Sequence, residues 1–170
     1  MDGGYRMTLH TERLELILLT AHQLELWIYD LPALEQELYA TYDAEPLEAE
    51  LLAIVKKQHE ITRDDEGNTV WHSFFFLLRK EDRVVVGSSD FKDIPNERGE
   101  VEIGYGLGIR HRRCGYMTEA VKAMCTWAQD QPGVSAVLAE TECDNAASQN
   151  VLARCGFHMY SEGETLWWRL

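Results

Sequence analysis

Three stretches of the chain hold residues whose types and spacing could do chemistry. Arg110, His111, Arg112 and Arg113 stand together in an acidic protein, directly before Cys114, Gly115, Tyr116, Met117 and Thr118. At a helix N-terminus, free backbone N–H groups and the positive dipole end make such a turn a ready anion site. Gly115 would let a ligand approach the backbone closely, although a solvated basic turn has the same composition. In the second stretch Val101, Ile103, Tyr105, Leu107 and Ile109 alternate with Glu100, Glu102, Gly104, Gly106 and Gly108. With a period of two, one face is apolar and the other carries two carboxylates, then three positions without side chains. That slot could take a linear ligand, with Glu102 near its head as a proton acceptor. The plainer reading is a solvated Glu102 and glycines that admit a close-packed helix. In the third stretch Ser148, Val151, Leu152 and Cys155 share one helical stripe, so Ser148 points with the buried face. Its hydroxyl could donate to a ligand, or satisfy a first-turn backbone group behind an Asn145 N-cap. No nucleophile elbow, Walker lysine or zinc-protease helix is present.

The elements that must position these residues follow from periodicity. Glu100 to Ile109 reads as a strand, Gly115 to Asp130 as a helix stopped by Pro132 and Gly133, and Val134 to Glu140 as a central strand. That β-α-β unit implies a parallel pair with a right-handed crossover. Asn145 to Cys155 is a short helix, followed by strands near Phe157 to Ser161 and Thr165 to Arg169. Upstream, Leu14 to Leu19 is a strand, Thr20 caps a helix from Ala21 to Tyr29, and a helical turn at Pro32 leads into Ala33 to Tyr39. Pro46 opens a longer helix through Ile61, and Ser73 to Arg79 pairs with Val84 to Phe91 as a hairpin. No repeat or linker divides the chain, so one domain over residues 1–170 is expected.

Composition narrows the function classes. The 170 residues suit a single core, with 45% hydrophobic and 26% charged residues. A net charge of −13 argues against nucleic acid and anionic membrane surfaces as partners. The four cysteines show neither C-x-x-C nor zinc spacing, so neither a structural disulfide nor a metal site is expected. The N-terminus lacks an apolar signal core, and the longest apolar run is Phe74 to Leu78, so a cytoplasmic location is expected.

The order of these parts resembles the GNAT superfamily of N-acetyltransferases, and within it the RimJ/RimL-type branch. Thr11, Glu12, Arg13 and Leu14 to Leu16 look like the branch's opening strand motif. Val101 to Tyr105 looks like its fourth-strand signature, and Arg112 to Ala120 is similar to its R-G-x-G-x-A-T-E-A acyl-CoA motif. Asn145, Ser148, Val151, Leu152, Gly156 and Phe157 resemble its N-x-x-S…G-F helix. The resemblance spans roughly residues 10–170 and implies an α/β (α+β) mixed sheet, mostly antiparallel, with a parallel pair around a β-α-β acyl-CoA site.

By position, the resemblance implies that backbone amides from Arg113 through Cys114, Gly115, Tyr116 and Met117 to Thr118 hold the pyrophosphate of acetyl-CoA, with Arg110 and Arg112 nearby. Leu107, Gly108 and Ile109 would pair with the pantetheine arm, and Asn145 would contact it from the other side. Ser148 would donate to the departing thiolate, and Glu102 would be the general base through a water. Two residues depart from the motif. Arg113 replaces its first glycine, which is tolerable at negative φ, and Met117 replaces a small residue and would narrow the cradle. They motivate a second reading, a non-catalytic acyl-CoA sensor or scaffold. The resemblance implies a primary amine as acceptor, with a peptide or protein N-terminus as its branch's match; homodimerisation is left open. Residues 1–66 carry fifteen acidic and five basic side chains, net −10, against −3 for the rest. An acidic N-terminal half beside the acceptor would attract a cationic amine.

Overall fold

The computed structural model describes residues 6–170; the first five residues of the N-terminal expectation lie outside it. In chain order the elements are β1 (Thr8–His10), β2 (Leu14–Leu18), α1 (Ala21–Tyr29), α2 (Leu31–Leu38), β3 (Thr41–Tyr42), α3 (Ala49–Asp64), α4 (Thr69–His72), β4 (Phe74–Arg79) and β5 (Val84–Phe91). After them come β6 (Glu100–Leu107), α5 (Tyr116–Gln129), β7 (Ala136–Glu142), α6 (Ala146–Arg154), β8 (His158–Glu162) and β9 (Thr165–Arg169). The nine strands form one sheet in the order β1-β2-β4-β5-β6-β7-β9-β8, with β3 lying beside β5 off that path. Neighbours are antiparallel except β6–β7 and the two-residue β3–β5 contact. The sheet is therefore the mixed, mostly antiparallel one expected, and its parallel pair is β6–β7.

Each face of the sheet buries its own core, because alternate residues of one strand serve opposite sides. Leu16, Phe75, Val101 and Ile103 pack on Ala120, Val121 and Met124 of α5. That helix buries the stripe expected from its spacing, now with Tyr116 as its first residue. On the other face Phe74, Phe76 and Leu78 pack against Leu24 and Trp27 of α1, Leu34 of α2 and Val55 of α3. Trp27 stands edge-on to Phe76 with ring centroids 4.8 Å apart. Thr20 closes a reciprocal capping box with Gln23, which starts α1 where expected.

The departures from expectation have local causes. The long helix begins at Ala49 rather than Pro46, because the backbone of Asp43 and the Glu45 side chain run across β6 and hold this segment as a strap. β6 ends at Leu107, since Ile109–His111 tighten into a 3₁₀ turn. β7 starts at Ala136 because the Ser135 amide and hydroxyl are taken by the carbonyls of Gly99 and Arg98. β1, β3 and α4 were not expected; pieces of two to four residues are specified by their neighbours rather than by periodicity. No helix among the described residues is long and apolar enough to cross a membrane.

Candidate active site

β6 and β7 pair only through Glu100–Ala136, Val101–Val137 and Glu102–Leu138. Beyond Glu102 the two strands separate: β6 keeps β5 as its neighbour to Leu107, and β7 keeps β9 to Glu142. The sheet thus forks at Glu102, leaving the β7-facing edge of β6 without a strand partner from Ile103 to Leu107. Such an edge is a template for an extended ligand.

Glycine-bearing β6 positions turn to the α1–α3 side, as the period-two count requires. The slot expected there is filled by the chain itself. A side chain at Gly104 would stand 2.7 Å from Asp90 Oδ1, one at Gly106 would collide with Glu45 Oε1, and one at Gly108 with the carbonyl of Asp43. Gly108 has an ordinary φ of −59°, so glycine is required there for space rather than conformation. Asp43 is held from behind: Oδ1 lies 2.6 Å from Arg110 Nη2 and Oδ2 lies 2.6 Å from His111 Nε2. The Arg110 hydrogen bond, acting against partial burial and aided by His111, keeps the Asp43 carboxyl below its usual range. Arg110 therefore braces the strap, which removes it from the basic cluster expected to face phosphate.

Glu102 sits at the fork with Oε1 2.6 Å from Lys92 Nζ. Burial works against the Lys92 charge, but the Glu102 contact and the fields of Asp90 and Glu140 outweigh it and raise the ammonium pKa. Asp90 is 7% exposed. Burial, reinforced by Glu102 and opposed by Lys92, pushes its carboxyl up to about 7. Sequence reading missed Asp90, Lys92, Asp43 and Glu45, because each meets β6 only through the sheet or the strap.

The turn into α5 is shaped as an anion cradle. Gly115, just before the helix, has φ +81°, and Arg113 has φ +63°. The negative φ at which Arg113 would be tolerable is not met: it adopts the left-handed backbone that suits a glycine. Backbone amides from Arg112 to Thr118 donate to no acceptor among the described residues, the ladder beginning with Glu119 N–H to Gly115 O at 3.2 Å. Arg112, Arg113 and Cys114 are exposed around them. Met117 is 4% exposed and belongs to the core on the α5 face, so its bulk leaves the cradle clear, contrary to expectation. Arg113→Gly is expected to stabilise the fold by about 1 kcal/mol by relieving the left-handed side chain. A rise in melting temperature checks it; a fall would show that Arg113 makes a compensating contact.

The cradle is fixed by the opening motif. Glu119 Oε1 accepts from the Thr11 hydroxyl (2.6 Å) and the Arg13 amide (2.7 Å), while Oε2 accepts from Arg13 Nε (2.9 Å). Arg13 also donates to the Cys114 carbonyl and stacks 4.4 Å over the Tyr116 ring. Across the fork, Tyr105 Oη and Ser148 Oγ are 2.8 Å apart. Asn145 caps α6, its Oδ1 accepting from the Ser148 amide at 3.1 Å. Tyr105 is a second hydroxyl that sequence reading placed only on the apolar face. Burial, against the Ser148 hydrogen bond, raises its pKa to about 12, so it stays protonated as a donor.

The profile described as Acetyltransferase (GNAT) domain matches residues 13–158. YjdG of Bacillus subtilis (strain 168), an uncharacterised N-acetyltransferase, is 29% identical over 152 residues, covering 84% of this chain and 90% of its own. Among solved structures, the ribosomal-protein-S5-alanine acetyltransferase of Vibrio fischeri superposes with a TM-score of 0.69 at 16% identity, covering 96% of each chain. A GNAT-family acetyltransferase of Bacillus anthracis does so with a TM-score of 0.64 at 15% identity, covering 96% of this chain and 98% of that one. At those identities the two structures speak to the fold.

Proposed function

Because this chain belongs to the acetyltransferase (GNAT) family, we propose that it acetylates the amino group of a peptide or protein N-terminus by direct transfer at the β6–β7 fork. It is an acetyltransferase, and acetyl-CoA is its cosubstrate, supplying an activated thioester. The observation that carries the site assignment is the conjunction of the fork with the unpaired amides before α5.

In this reading the amides of Arg113, Cys114, Gly115, Tyr116, Met117 and Thr118 hold the pyrophosphate, with Arg112 and Arg113 as exposed cations. The free β6 edge up to Leu107, with the turn of Gly108 and Ile109 that follows it, takes the pantetheine arm, and Asn145 borders it from α6. A β6 backbone amide polarises the thioester carbonyl. Holding amine and thioester in line supplies most of the acceleration. Ser148, hydrogen-bonded to Tyr105, donates to the sulfur as it leaves. The amine proton passes to the carboxylates at the fork, where Glu102 stands. Acidic groups on this face (Glu45, Asp90 and Glu102) favour a cationic acceptor. An N-terminal amine as acceptor, and placement in the RimJ/RimL-type branch, are supported by the motif order and by neighbours named for ribosomal-protein acetylation. The sensor reading loses its Met117 motive, since that side chain turns to the core, while Arg113 carries the left-handed backbone that suits the motif's glycine.

Purified protein mixed with acetyl-CoA and a panel of peptide N-termini, polyamines and amino sugars is expected to release free CoA thiol fastest with peptides. Fast release with polyamines or sugars alone would overturn the acceptor, and tight acetyl-CoA binding without release from any acceptor would overturn transfer.

A further inference from the structure

A carboxylate bound to an ammonium is a poor proton acceptor, because the cation stabilises its charged form. Glu102 is in that position, 2.6 Å from Lys92. Asp90 is not. It pairs across the sheet with Gly104 on one side and Phe74 on the other, and it forms no ion pair among the described residues. A Cβ at Gly104 would come within 2.7 Å of Asp90 Oδ1 and 3.3 Å of Lys92 Cε. The missing side chain at Gly104 therefore makes the room that this buried carboxyl occupies, two residues past the fork.

We propose that Asp90 is the base that takes the amine proton, directly or through one water, and that Glu102 positions Lys92 beside it. The inference rests on the acetyl-transfer reading and replaces Glu102 in the role that the family resemblance implies. The amine lone pair forms the N–C bond at the thioester carbonyl, the C–S bond breaks, and the N–H proton passes to Asp90 and then to solvent. The sulfur takes a proton from Ser148, which is reprotonated from solvent. Its ordinary carboxylate range would leave Asp90 too weak a base, and burial lifts it to about 7, near the range where such a base works best.

The charges around Asp90 set the direction of every shift. Lys92 lies just past the end of its strand, Glu102 faces it from β6, and Glu45 lies farther along the same face at Gly106. β4 presents Phe74, and His72 before it turns to Asp65 and Asp93. Removing the Glu102 charge lowers the Asp90 pKa, and removing the Lys92 charge raises it.

The test measures CoA release from acetyl-CoA and the best acceptor of the panel between pH 5.5 and 9, with acetyl-CoA affinity measured in parallel. Wild type is expected to lose kcat/KM below about pH 7. Asp90→Asn should lose at least about 100-fold in kcat, with acetyl-CoA affinity within about twofold. Glu102→Gln should move the acid limb to lower pH and Lys92→Met should move it to higher pH, a readout that survives if Asp90→Asn misfolds. Wild-type kcat and pH profile in Asp90→Asn, or an acid limb that neither neighbour moves, would overturn the base while leaving acetyl transfer intact. A wild type that binds acetyl-CoA yet acetylates nothing removes the acetyl-transfer reading, and the base with it.

Discussion

Gly115→Val should weaken acetyl-CoA binding by about 100-fold, equivalent to about 2.7 kcal/mol. Gly115 sits at φ +81°, where a β-branched residue is a true outlier. Holding such a side chain there costs on the order of 1–3 kcal/mol. The new Cβ would also stand 3.2 Å from an Arg13 guanidinium nitrogen, the group that clamps the cradle from outside. The Arg13 terminus can give by a few tenths of an ångström, but the backbone strain is relieved by rotating the turn, and that redirects the amides on which anion binding depends. Isothermal titration with acetyl-CoA measures the effect, and Gly115→Ala should fall between the two. Affinity within about threefold of wild type in the valine variant would move the pyrophosphate site off this turn.

Glu119→Ala should cost about 3 kcal/mol of stability, since it deletes three short hydrogen bonds, two of them from Arg13. At this chain length that corresponds to a fall of roughly 6–12 °C in melting temperature. Burial opposes the Glu119 charge, but the Thr11 and Arg13 hydrogen bonds outweigh it and hold its pKa below the usual range. A depressed folded pKa contributes stability above the unfolded value of about 4.3, lost as pH falls through the folded one. The gap between wild type and variant should therefore be full at pH 7 and shrink below about pH 4. Denaturation at both pH values checks this, and a gap that is unchanged by pH would mean that the network works through packing rather than charge.

The Glu119 network also explains why two short motifs, more than a hundred residues apart, could be read from the sequence. Thr11 and Arg13 are chosen for Glu119, and Glu119 for them, so both ends keep recognisable residue types. Helices α1 and α5 were readable for a different reason, because a capping box and a buried stripe are local or periodic. The groups facing the β6 glycines left no such trace. Asp43, Glu45 and Asp90 look like ordinary acidic residues of a chain with net charge −13, and only pairing and the strap set them against Gly104, Gly106 and Gly108.

By itself the sequence determined the family, the β-α-β unit, the helix N-terminus suited to an anion and the face on which Glu102 lies, because helix caps, periodicity and motif order are encoded over a few residues. Tertiary structure alone decided that β6 and β7 part after Glu102, that Arg110 braces a strap instead of facing the cradle, that Arg113 is left-handed and that Met117 is core. It also decided which carboxylates share a low-dielectric site. Proton affinity depends on burial and on neighbouring charge, and neither quantity exists until the strands have paired.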